Sequence, residues 1–110
     1  MDWQTQIQNE LERAEQARAR GNEGQARVCA RRAAGIAIRE YFTRQAQIIR
    51  TQSAYDLLNL LAEDPHLRAD IKQSAVYLTL RVDEGFKLPA NVDLISEARK
   101  LCERLSKEKK

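Results

Sequence analysis

Apolar residues recur every three to four positions along most of the chain, the spacing of helices that bury one face. Asp2 stands where a first helix needs its N-cap. Trp3, Ile7, Leu11 and Ala14 then form a narrow apolar stripe on a helix running to about Arg20. Gly21 and Asn22 interrupt it, and Asn22 with Gln25 three residues on opens a second helix extending to about Arg44. A short third helix begins near Ser53, with Asp56 three residues later, and carries Leu57, Leu58 and Leu61. Asp64-Pro65 reads as a restart, an N-cap residue followed by proline in the first helical position. The fourth helix places Leu67, Ile71, Ser74, Ala75, Leu78 and Val82 on one face. Gly85 to Asn91, with Pro89, reads as a loop, and Asn91 as the cap of a last helix carrying Leu94, Ile95, Ala98, Leu101, Cys102 and Leu105. No strand pattern or internal repeat interrupts this series. The expected fold is all-α: an antiparallel bundle of four to five helices in one domain spanning residues 1–110.

The second helix departs from the one-sided pattern. At about 100° per residue, Ala26, Cys29, Ala30, Ala33, Ile36, Ala37 and Tyr41 gather on one side, mostly small enough for neighbouring helices to come close. The other side carries Val28, Gly35, Ile38 and Phe42, flanked by Arg27, Arg31, Arg32 and Arg39. The fourth helix likewise turns Val76, Tyr77 and Leu80 away from its main stripe. Two compatible accounts fit: these residues form the seam of a homodimer or a partner groove edged by arginine, and the two helices are the central pair of the bundle.

Charge sharpens the picture more than composition does. The 110 residues are 43% apolar and 32% charged, with few glycines and prolines, as expected for a soluble helical domain. No apolar run approaches a membrane span and no signal peptide opens the chain, so a cytoplasmic location is expected. The net charge of +3 is uneven: residues 13–50 hold nine arginines against three glutamates, and every lysine lies at Lys72 or beyond. Arginine grips phosphate and carboxylate as a planar fork, which makes Arg27, Arg31 and Arg39 the candidate surface for a nucleotide, RNA or an acidic partner. Solvated helix faces account for the same arginines, with Arg13 and Arg18 paired to Glu10 and Glu15 one turn away. If the arginines gather at a seam, carboxylates such as Asp70, Asp83 and Glu84, or a bound anion, must offset them. Lys107, Lys109 and Lys110 complement the negative end of the last helix.

Asn9 to Arg13, the following Ala-Glu-Gln-Ala-Arg, the break at Gly21 and the run from Ala26 to Phe42 resemble the first two helices of HEPN domains. Tyr55 to Leu61, Ala75 to Arg81 and Ser96 to Leu105 are similar to the remaining helices, so the likeness of pattern covers nearly the whole chain. The resemblance implies a helical bundle, usually dimeric, in nucleotide- or RNA-related systems, commonly beside a small nucleotidyltransferase partner. Active members of that family carry an arginine followed, after about four to six residues, by a histidine that moves the ribose proton while arginine steadies the phosphate. Here His66 is preceded at those distances by Asn59, Leu60 and Leu61, and Arg81 is followed by Phe86, Lys87 and Leu88. The motif is absent.

Other chemistry finds little material. Glu23, Glu40 and Asp83-Glu84 lack a surrounding ligand cluster, no glycine-rich phosphate loop occurs, and no cofactor is expected. Cys29 and Cys102 fall on apolar stripes, where free cysteine acts as a small hydrophobe, and His66 reads as a surface or capping residue. The expected function is therefore a non-catalytic, homodimeric HEPN-like binding module. The alternatives are a degenerate ribonuclease or toxin component, and a purely structural interaction bundle.

Overall fold

The computed structural model describes residues 2–80 and 92–108. Those residues fold into five α-helices: α1 Trp3–Ala19, α2 Glu23–Arg44, α3 Ala54–Ala62, α4 Ala69–Leu78 and α5 Leu94–Ser106. Four of the five start as their side chains dictate. Asp2 accepts from the Thr5 amide at 2.7 Å, Asn22 from Gln25 at 3.1 Å and Ser53 from Asp56 at 3.3 Å. The cap of α5 is Asp93, two residues beyond the expected Asn91, and it accepts from both Ile95 and Ser96. Asn91 itself, the loop from Gly85, and Val82 lie outside the described residues.

The start of α4 corrects the sequence reading. Asp64 does not cap a helix beginning at Pro65. Its carboxylate takes the His66 amide, two residues on, at 2.9 Å, and so closes a turn. The helix begins only at Ala69, after Arg68, without a side-chain cap. It stops at Leu78, where the Thr79 hydroxyl donates back to the Val76 carbonyl at 2.6 Å.

Helices α1 and α2 end in the same way on different residues. Gly21 takes a left-handed conformation, φ 79°, while its amide and that of Asn22 reach back to the carbonyls of Arg18 and Ala17. At the end of α2 the left-handed residue is Ala46, φ 59°, with its amide on Thr43 and that of Gln47 on Phe42.

Helix α2 is the central element. It packs against α1, α3 and α5, while α4 lies against α3 and α5. That placement explains its two apolar faces: Ala26, Ala30, Ala33 and Ala37 are buried on one side, and Gly35, Ile38 and Phe42 on the other. Gly35 brings the helix close to α3, since a methyl group there would sit 3.4 Å from the Ala54 Cβ. Ile38 and Phe42 each remove an entire side chain from water, worth about 1.5–3 kcal/mol apiece. Of the residues expected at a dimer seam, these three are covered within the chain itself and are not displayed to a second copy.

One buried cluster draws on every helix, and the 13.4 Å radius of gyration is that of a compact chain of this length. Arg44 fastens the bundle at one end. It lies over the Trp3 ring at 5.9 Å and donates to the Leu105 carbonyl at 3.4 Å, joining the ends of α1, α2 and α5.

Candidate anion-binding cleft

A cleft of about 830 Å³ opens between α1, α2 and the start of α3. Its walls follow from helical spacing. Trp3, Gln6, Glu10 and Arg13 form one stripe of α1, and Val28, Arg32, Ile36 and Arg39 form the facing stripe of α2. Gly35 lies between them, and Gln52, Ala54, Tyr55 and Leu57 close the third side.

The three arginines singled out in the sequence have different fates. Arg31 donates from Nε to the Leu78 carbonyl at 2.8 Å and from Nη2 to that of Leu80 at 2.7 Å, while its guanidinium lies 4.9 Å from the Tyr55 ring centre. It satisfies the carbonyls that the end of α4 leaves open. Arg39 donates to the Thr51 carbonyl and, at 3.4 Å, to Gln52 Oε1, which pins the segment between α2 and α3. Arg27 is half-buried and outside the cleft lining. Arg31 and Arg39 thus each engage backbone carbonyl oxygens. Asp70 is engaged by Arg68 and Arg104, and Asp83 and Glu84 lie outside the described residues.

Two other arginines carry the exposed charge of the cleft. Arg13 pairs with Glu10 at 2.7 Å, as its spacing predicts, yet its side chain remains 65% exposed. Arg32 is exposed and has no hydrogen-bond or ion-pair partner among the described residues. Glu10 is buried in the wall, one carboxylate oxygen held by Arg13 and the other, Oε2, without a partner. Arg13 is the surface pair its spacing predicts and Trp3 packs against the core, and neither property marks the cleft. The signal lay in the second stripe of α1, offset from the Ile7–Leu11–Ala14 face.

The remaining candidates are scattered. Val28 and Val76 are 38% and 43% exposed, and Tyr77 and Leu80 are half-buried. Arg18 leaves Glu15 aside and forks between Glu23 and Asp93, at 2.8 and 3.0 Å, joining the start of α2 to that of α5. Hydrogen bonds from Arg18 hold both carboxyls below their usual range. Four basic side chains along or beside α4 and α5 are paired, Arg68 with Asp70, Lys100 with Glu97, Arg104 with Asp70 and Lys107 with Glu103, while Lys72 and Arg99 have no ion-pair partner among the described residues. Cys29 and Cys102 are free and buried, and burial pushes the Cys102 thiol up to about 12. His66 is exposed. Among the described residues no cluster of His, Cys, Asp and Glu could hold a metal ion, and no helix is long and apolar enough to cross a membrane. No family model, curated protein or solved structure matches the chain.

Proposed function

We propose that this chain is a non-catalytic helical binding module of HEPN-like type. Its working site is the α1–α2–α3 cleft, and its ligand joins a planar ring to a phosphate: a nucleotide or the end of an RNA strand. The observation that carries this reading is the pair of exposed guanidiniums, Arg13 and Arg32, on a cleft also lined by Trp3 and Tyr55. Its volume is typical of small-molecule sites. Arginine supplies a fork for phosphate, and aromatic side chains supply surfaces against which a base can stack. Glu10 adds an unused acceptor in the wall. The resemblance to HEPN domains, with its implied nucleotide- or RNA-related role, points the same way.

A thermal-shift titration at low salt tests the reading with inorganic phosphate, AMP and a short unstructured RNA. A ligand that binds only the folded form raises stability by about 2.7 kcal/mol at a hundredfold excess over Kd. Stabilisation by AMP and RNA is expected in the wild type, lost in Arg13→Gln/Arg32→Gln and retained in Arg104→Gln. No shift with any of the three ligands, or an equal shift in the double variant, would remove nucleotide binding and leave an interaction bundle.

A further inference from the structure

A second surface lies away from the cleft, on the segment joining α2 to α3 and the outer side of α3. Ile48 is 82% exposed, the most open large apolar side chain among the described residues, and Leu60 is 43% exposed. With Ile49 they line two adjoining hollows of about 760 and 470 Å³, the larger also bounded by Tyr41 and Phe42. The segment is held at both ends. The Gln47 amide bonds to the Phe42 carbonyl, and Arg39 takes the carbonyl of Thr51, whose hydroxyl donates to Asp56 at 2.8 Å. Ile48 is thus displayed at a fixed place, and an apolar ridge presented to water marks an interaction surface.

The rim indicates the partner. Asp56, Glu63 and Asp64 line the hollows and have no ion-pair partner among the described residues; Glu108 is shared with Arg68 at 3.8 Å. Arg50 is the one lysine or arginine in either lining. A second copy related by a two-fold axis would set these carboxylates against their equivalents, and an anionic lipid surface would meet the same repulsion. We infer that Ile48, Ile49 and Leu60 dock a different protein chain, one presenting an amphipathic helix whose aliphatic face is edged by lysine or arginine. The aliphatic side chains fill the two hollows and the basic ones meet the acidic rim. The whole molecule carries +3, so attraction of a cationic helix must come from this local rim and not from the net field.

Fluorescence anisotropy with the full chain tests this, using a labelled Leu/Lys helical peptide of about 18 residues, five turns, and a Leu/Glu peptide of the same pattern. The Leu/Lys peptide is expected to bind and the Leu/Glu peptide not to. Ile48→Ser is expected to weaken binding at least about tenfold, Glu63→Lys to weaken it further at low salt, and Arg32→Gln to leave it unchanged. Ile48 is exposed, so its variant keeps the wild-type fold, checked by circular dichroism. Absence of binding, equal affinity in Ile48→Ser, or preference for the acidic peptide overturns the proposal. A wild-type dimer in sedimentation that Ile48→Ser converts to monomer also overturns it and assigns the ridge to a second copy.

Discussion

At position 46 the chain makes with alanine the left-handed turn that it makes with glycine at position 21. Both residues end a helix with the same pair of backward hydrogen bonds, but only glycine does so without crowding its own Cβ. Ala46→Gly is therefore expected to stabilise the protein by about 1 kcal/mol, the relief of a left-handed alanine less the extra chain entropy of glycine. A urea melt showing an unchanged or lower midpoint would contradict this. Gly21 was readable in the sequence as a break, whereas Ala46 carries no such mark: alanine favours the helix it here terminates. Arg31 and Arg39 show the same limit. Their number and charge were plain, but their partners are carbonyls 47 to 49 and 12 residues away, brought near only by the packing of α3 and α4 on α2.

At the scale of elements, caps formed by Asp2, Asn22 and Ser53 followed local rules, because both donor and acceptor lie within three residues. Asp64-Pro65 obeyed those rules equally well and still made a turn, since Asp64 could reach the amide two residues on. The two-faced pattern of α2 was legible, and packing buries Gly35, Ile38 and Phe42 of the second face within the chain while Val28 stays exposed. Phe42→Asp is accordingly expected to unfold the chain or cost several kcal/mol, because a buried carboxylate finds no partner there. A folded variant with native circular dichroism and an unchanged melt would contradict that placement.

Between elements, Arg18 ties α2 to α5 through Glu23 and Asp93, whose carboxyls it holds below their ordinary values of 4.5 and 3.8. Groups depressed on folding stabilise the native state above their unfolded pKa, and that contribution is lost as pH falls through the folded value. Stability should hold from neutrality to about pH 5 and begin to fall below roughly pH 4.5, modestly, because the pair is partly solvated. Arg18→Gln should flatten this limb of the pH–stability curve; an identical acid limb in wild type and variant would contradict the role of the fork.

For the molecule as a whole, the excess of arginine between residues 13 and 50 was the strongest clue in the sequence, and the fold distributes it unequally. Arg31, Arg39 and Arg44 are drawn into holding helices together, and Arg18 into joining two helix starts. Of the other five, Arg13 and Arg32 line the cleft, and Arg20, Arg27 and Arg50 lie outside its lining. Which arginines belonged to which group depended on the tertiary crossing of α1 and α3 over α2, and periodicity within one helix does not contain it. The central claim is that the cleft of α1, α2 and α3, and not the basic surface of α4 and α5, receives the anion. Backbone amide chemical shifts, followed while AMP or a short RNA is titrated into the labelled protein, test this most directly. Perturbations are predicted to concentrate near Gln6 to Arg13, Val28 to Ile36 and Gln52 to Tyr55, and shifts centred on Arg68, Lys100, Arg104 and Lys107 would contradict the account.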